Sequence, residues 1–303
     1  MAVAESGRAD DFTFGGTWPF EPRWLETDGV HLHYVDEGPR DGHPVVFVHG
    51  TPTWSYLWRK LIPPLVQAGY RCVAHDELGF GRSEKPARQR EYSLDRHISH
   101  LGALVDALGV GGVTLVVHDW GGPIGLGWGV DHPELVKRLV VLNTGSGYVP
   151  PDSRPPLFYR LVRAPLLGDV LTRGLHVFRL ALFHLSPTHL GPDEKAAYSK
   201  PHPSWRTRGG VAAAPRMIPW DERNRNRPRA TRTEERLGLL AGKPTLICWG
   251  MRDPVLRPPL MRHLRKRLGQ CEVRELKRAS HFVPEDAPEE LTRHTLDFLE
   301  RTR

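Results

Sequence analysis

Six short stretches of the chain read as strands, most of them apolar and β-branched: 45–49 (VVFVH), 71–75 (RCVAH), 113–118 (VTLVVH), 139–142 (LVVL), 245–249 (TLICW) and 271–276 (CEVREL). Gly, Asp, Asn or Pro bounds each of them, and runs such as VTLVVH have the unbroken apolar character of strands covered on both faces. Between them the apolar spacing changes to a helical period over 58–68, 94–108 behind the cap-like Ser93, 122–131, 259–268 and 288–301. Strand and helix in alternation predict an α/β fold, a mostly parallel sheet with helices on both faces. In such sheets ligands bind at the carboxyl ends of the strands. The alternation stops after Thr144 and resumes near Leu239, and the stretch between shows only helix-like pieces at 157–162, 168–182 and 193–198. The expected organisation is therefore a core of 1–146 and 239–303, with 147–238 inserted as a helical lid over the active edge of the sheet.

Composition narrows the class. With 303 residues, 39% hydrophobic, 25% charged and a mean hydropathy of −0.42, the chain is neither a disordered tail nor a polytopic membrane protein. No run approaches the ~18 apolar residues of a spanning helix, and Glu5, Asp10 and Asp11 stand where a secretory leader would be basic and then apolar. A cytoplasmic protein without a membrane span is expected. Cys72, Cys248 and Cys271 make no C-x-x-C pair and are odd in number, which argues against disulfides and structural zinc.

The net charge of +7 is unevenly placed. Residues 147–236 carry 14 Arg and 2 Lys against 8 acids, a net of +8, whereas the other 213 residues net −1. No aromatic-interleaved basic groove accompanies it, so nucleic acid is not an expected partner. The Arg-rich run 222–236 reads as a solvated loop or helix face. The alternative is a dock for an acidic protein through Arg223, Arg225, Arg227, Arg229 and Arg232.

The chemistry gathers around Asp119. In Val117-His118-Asp119-Trp120-Gly121-Gly122 a buried strand meets a Gly-rich helix start, the pattern of a nucleophile elbow in which one side chain is lifted above the sheet. A lone Asp before a helix is ordinarily a cap, but this one has company. Asp253 follows the strand TLICWG and His281 follows CEVREL, so both fall beyond strand ends at the same edge, in the chain order nucleophile, acid, base. A carboxylate nucleophile suits attack at saturated carbon, because the resulting alkyl ester hydrolyses at its carbonyl where a serine ether would not. The segment His49-Gly50-Thr51-Pro52 ends the first buried strand and is expected to supply one N–H to a developing anion, with the N–H of Trp120 as the other. None of the 16 His residues has metal-binding spacing, so no metal and no cofactor is expected.

The runs HGTPTWSYLWRKL, DELGFGRSEKP, VVHDWGGPIGLGW, LVVLNTG, ICWGMRDPVL and SHFVPEDAP together resemble the haloalkane dehalogenase family of α/β-hydrolases, particularly its third subfamily, over about 20–299 and most weakly across the lid. The resemblance implies Asp119 as nucleophile, His281 as base, Asp253 as acid and the Trp120 indole as halide donor. It also implies a small hydrophobic substrate and water as the reacting partners. At the position after His-Gly, where the third-subfamily pattern has Asn, this chain has Thr51, whose hydroxyl offers one shorter donor. Trp205 or Trp220 in the lid could replace the lost donor, although packing is the simpler role for both, and Tyr148 is a further candidate lid contact. The same motifs resemble the β-lactone decarboxylases of bacterial olefin synthesis, with LNTGSGYVP, AAYSKPHPSW and RMIPW closer to that branch. An epoxide hydrolase, whose lid acids would be among Tyr148, Tyr159 and Tyr198, fits less well. A hydrolase-fold binding protein without catalysis ordinarily lacks a triad member, and here all three are present.

Overall fold

The computed structural model describes residues 12–303, so Glu5, Asp10 and Asp11, on which the reading of the N-terminus rests, lie outside the described residues. Eight strands form one sheet in the order β1-β2-β4-β3-β5-β6-β7-β8: β1 (Arg23–Thr27), β2 (Val30–Glu37), β3 (Pro44–Val48), β4 (Arg71–His75), β5 (Val113–Asp119), β6 (Val136–Thr144), β7 (Thr245–Gly250) and β8 (Cys271–Leu276). The six expected strands are β3 to β8, all parallel. The antiparallel pair β1 and β2 was not expected. Its sequences RWLET and VHLHYVDE mix charge with apolar residues, because β1 is an edge and β2 buries His33 against Asp76. Asp28 and Gly29, both at positive φ, turn one strand into the other.

Core helices cover both faces. These are α1 (Ile62–Gln67), α2 (Leu94–Leu108) and α3 (Gly121–Asp131) before the insertion. Ser93 caps α2 by accepting from the Arg96 N–H, as expected, and Gly109 ends it in the left-handed region. The helix expected over 58–68 begins only at Ile62, because Pro63 and Pro64 suit a first helical turn and 55–58 forms a tighter 3-10 turn instead. Two apolar cores result: Trp58, Ile62 and Phe298 against Phe47 on one face, and Leu101, Ile124 and Leu264 against Val117 on the other.

Every element between β6 and β7 is helical: α4 (Leu157–Arg163), α5 (Leu167–Asp169), α6 (Val177–Leu185), α7 (Pro192–Ser199), α8 (Gly209–Met217) and α9 (Arg227–Arg236). The chain then closes with α10 (Pro258–Leu268), α11 (Val283–Asp286) and α12 (Pro288–Arg301). The single helix expected over 168–182 is divided by a wide turn at Val170–Gly174 and by His176 in the left-handed region. Gly209, Gly210 and Pro215 hid α8 from a propensity reading.

The Arg-rich run differs most from expectation. Arg227 and Arg229 are buried. Arg227 donates to the carbonyl oxygens of Val149 and Pro219 and pairs with Glu222, and Arg225 donates to those of Arg90 and Tyr92. Arg229, Arg232 and Arg236 converge on Asp131 at the end of α3. Four of the five arginines read as a possible dock for an acidic protein are thus used inside the chain, and two of them, Arg229 and Arg232, tie α9 to the end of α3. Removing the shared acid leaves the buried Arg229 with only the exposed Asp95, at 3.7 Å, as its counter-charge. Asp131→Asn is therefore expected to lower unfolding free energy by about 2 kcal/mol in a urea titration, and an unchanged midpoint would show that the tie contributes nothing.

Candidate active site

Asp119 closes β5 at φ +50, and the register against β6 slips between His118 and Asp119, so the chain leaves the sheet for α3 within one residue. That sharp a turn presses three backbone segments together. A Cβ added to Gly121 would collide with the Val48 carbonyl, one on Gly122 with the Thr144 hydroxyl, and one on Gly50 with the Asp119 carboxylate itself. Glycine is the residue that permits this approach. The Thr144 hydroxyl donates to the Asp119 carbonyl oxygen and fixes the turn from the neighbouring strand.

The Asp119 carboxylate has one oxygen held and the other presented. Oδ1 accepts the Thr51 backbone N–H at 2.7 Å, the Trp120 N–H also bonds the carboxylate, and Oδ2 lies 3.6 Å from His281 Nε2. Thr51 reaches the Asp119 carboxylate through its main-chain N–H. Burial pushes the Asp119 carboxyl above its ordinary range, with His281 and the two N–H groups opposing.

His281 Nδ1–H donates to Asp253 Oδ2 at 2.8 Å. Burial works against charge on the imidazole, but Asp253 and then Asp119 outweigh it and raise His281 above the usual histidine value. Burial likewise opposes charge on Asp253, yet His281 and the N–H groups of Leu256 and Val255 hold its carboxyl low. Two further residues complete the arrangement without having been expected in it. Asn143, at the end of β6, donates to Asp253 Oδ2 at 2.8 Å and accepts the Gly250 N–H at 2.6 Å, so it bridges the ends of β6 and β7. Its signal was a polar side chain ending the apolar run LVVLN. His118, pushed by burial down to about 3 and therefore neutral, donates from Nε2 to the His281 carbonyl oxygen at 2.8 Å.

Two apolar chambers of about 350 and 340 Å³ meet above this carboxylate. Asp119, Trp120, Pro156, Tyr159, Ile218 and Val255 belong to both. The first chamber continues over Thr51, Phe158, Phe178, Ala214 and Phe282, and the second over Pro123, Tyr148, Val149, Trp220 and Leu260. Of the lid residues read as candidates, Tyr148 and Trp220 line the second chamber, and the indole N–H of Trp220 is buried without a protein partner. Trp205 does not reach either chamber; it is half-exposed on the outside of the helical insertion against Arg173. Tyr198 is also off the site, because its hydroxyl is bound to Glu285. Tyr159 is the tyrosine that faces Asp119, and burial raises its phenol well above the ordinary value.

Residues 43–288 match the family described as alpha/beta hydrolase fold. The chain is 37% identical to the cis-3-alkyl-4-alkyloxetan-2-one decarboxylase of Shewanella oneidensis over 289 residues, 94% of this chain and 90% of that protein. It is also 37% identical to a haloalkane dehalogenase of Mycolicibacterium paratuberculosis over 291 residues, 93% of each chain. Among solved structures, haloalkane dehalogenase DbeA from Bradyrhizobium elkani superposes with a TM-score of 0.83 at 25% identity, covering 93% of this chain and 98% of that one.

The electrostatics of the site are testable without any substrate. Asp253 exerts the larger carboxylate field on His281 and Asp119 the smaller. In Asp253→Asn the proton affinity of His281 is expected to fall about tenfold or more, and in Asp119→Asn by less. Titration of the His281 ring by NMR measures both, and a midpoint unmoved in Asp253→Asn contradicts the pairing.

Proposed function

The chain belongs to the alpha/beta hydrolase fold family, and from that premise we propose that it is an aspartate-nucleophile enzyme of the haloalkane dehalogenase kind, with 147–238 serving as the lid on its site. The observation that carries this reading is the Asp119 carboxylate at the floor of an apolar cavity, with Oδ1 on the Thr51 N–H and Oδ2 toward the cavity and His281. Oδ2 attacks a saturated carbon from behind, the carbon–halogen bond breaks, and the halide leaves toward the Trp120 indole while an alkyl ester forms on Asp119. His281 then takes a proton from water, whose oxygen adds to the ester carbonyl. The negative charge of that step develops on Oδ1, where the Thr51 N–H already points, with the Trp120 N–H bonded to the same carboxylate. Collapse returns the proton from His281 to the departing alkoxide, which leaves as the alcohol, and the carboxylic acid left at Asp119 ionises. Asp253 orients His281 and supports its positive charge.

A second reading is favoured by the shape of the cavity. A simple haloalkane has one apolar arm, whereas two chambers meeting at the nucleophile suit a substrate with apolar arms on two adjacent carbons. A cis-dialkyl β-lactone has that shape. Attack of Oδ2 on the ring carbon bearing oxygen would break the carbon–oxygen bond and free the ring carboxylate. Loss of carbon dioxide would then form the carbon–carbon double bond and expel Asp119 as its carboxylate. Atoms balance without water and without a base.

The two readings separate at His281. Asp119→Asn is expected to abolish turnover on either substrate, since a neutral amide is a poor nucleophile. With His281→Phe, a bromoalkane should leave its alkyl group on Asp119, seen as an added mass on the intact protein. A dialkyl β-lactone should still be converted to alkene by the same variant. If neither substrate gives an Asp119 adduct or a product, the covalent mechanism is wrong.

Thr51→Asn tests the halide side alone, because it adds a side-chain amide beside the leaving group. One more well-placed donor is worth as much as about a hundredfold in rate, so bromoalkane turnover should rise. A folded variant no faster than the parent counts against alkyl halides as the substrate.

A further inference from the structure

The outside of the lid carries an unusual surface. Among the described residues, nine of the twelve exposed large apolar side chains lie between Leu157 and Trp205. Leu166 is 82% exposed, Leu157 66% and Leu175 57%. Leu166 also sits at φ +62, a conformation that an L-residue with a bulky side chain rarely adopts, at the tip of the turn joining α4 to α5. The Trp205 ring lies against Gly174 and Arg173, and Phe158 packs on Phe178 at 5.7 Å, so the surface is continuous across α4, the wide turn and the start of α6.

Its charge is predominantly positive, with Asp152 exposed at its edge and Asp221 paired with Arg163. Residues 153–185 hold five arginines and one acid, Asp169. That acid is occupied by Gln89, Arg173 and Arg216. Arg154, Arg160 and Arg206 remain exposed beside the leucines. The surface also reaches the cavity, because Phe158 is both exposed on it and part of the first chamber's wall.

We infer that this face of the lid docks on the surface of an anionic lipid bilayer. Protruding leucines and a tryptophan enter the headgroup boundary, and arginines beside them meet the lipid charge, which is the physical pattern of interfacial proteins. An apolar face of this extent is otherwise rare on a monomer. The mouth at Phe158 then opens where apolar molecules are concentrated, whichever bond the site breaks.

Vesicle flotation tests it. The protein should float with vesicles containing phosphatidylglycerol and remain unbound with pure phosphatidylcholine. Binding should weaken as salt shortens the screening length, which is ~10 Å at 0.1 M. The triple variant Leu161→Asp, Leu166→Asp, Leu175→Asp replaces three exposed side chains that line neither chamber. It should lose about tenfold or more of the bound fraction while keeping its melting temperature and its turnover of a short water-soluble substrate. Failure of the parent protein to float with anionic vesicles overturns the inference. So does equal flotation of the triple variant. Concentration-dependent sedimentation of the parent, abolished in the variant and without vesicle binding, assigns the face to a second copy instead.

Discussion

The backbone turn at Asp119 is the constraint on which the rest of the site depends. A strand that becomes a helix within one residue, at positive φ, can be accommodated only where the surrounding backbone comes closer than any Cβ allows. Gly50, Gly121 and Gly122 supply that closeness from two different segments. The same compression aims the Thr51 and Trp120 N–H groups at the Asp119 carboxylate, so the feature that strains the chain also builds the polar floor of the cavity. The sheet order does the remainder. Because β3, β5, β6, β7 and β8 are parallel neighbours, their carboxyl ends bring Thr51, Asp119, Asn143, Asp253 and His281 to one edge from positions spread over most of the sequence.

Parallel strands alone do not hold the His281 loop, which follows β8 by several residues of coil. A buried acid and a half-buried one just after it do so. Glu285 receives Arg59 at 2.9 Å and Lys60 at 3.0 Å from the first core segment, and Tyr198 from α7. Asp286 receives the Ser280 N–H at 2.8 Å and the Ser186 hydroxyl from the segment between α6 and α7. An unpaired carboxylate at this depth would cost several kcal/mol, so donors from core and insertion together are what make it tolerable. The loop that carries His281 is in this way fastened to the helical insertion as well as to the sheet.

Much of this was legible in sequence because it depends on local pattern. Buried parallel strands advertise themselves as unbroken apolar runs, and the run His118-Asp119-Trp120-Gly121-Gly122 joins one of them to a glycine-rich helix start. The chain order of Asp119, Asp253 and His281 also matched a known arrangement, and the family likeness holds over the span 43–288. What sequence concealed depends on pairing at a distance. β2 buries His33 and Asp36, which look like surface residues until His33 finds Asp76 and Asp36 finds Arg71. Arg227 and Arg229 likewise read as solvated charge, since nothing near them in sequence announces the carbonyls of Val149 and Gly127 or the carboxylate of Asp131 that receive them. Asn143 was overlooked because an amide at a strand end has no chemistry of its own; its importance lies in the Asp253 oxygen it holds.

The electrostatics of His281 bear on how one imidazole could serve both steps of the proposed hydrolysis. In the free protein two carboxylates face it, and together they outweigh burial and favour the imidazolium. When protonated, a ring 3.6 Å from Oδ2 stabilises the charge on the Asp119 carboxylate. Formation of the ester neutralises Asp119 and removes one of the two fields, while burial, which opposes charge on the ring, is undiminished. The proton affinity of His281 then falls, and the neutral ring is the form that accepts a proton from water in the proposed second step. Asp253 stays ionised throughout, held by Asn143 and by the N–H groups of Val255 and Leu256, so the orientation of the ring survives the change in its charge. A lactone that leaves as alkene and carbon dioxide makes no use of this sequence of events, because the carboxylate it releases renews the negative charge beside the ring as soon as Asp119 has lost its own.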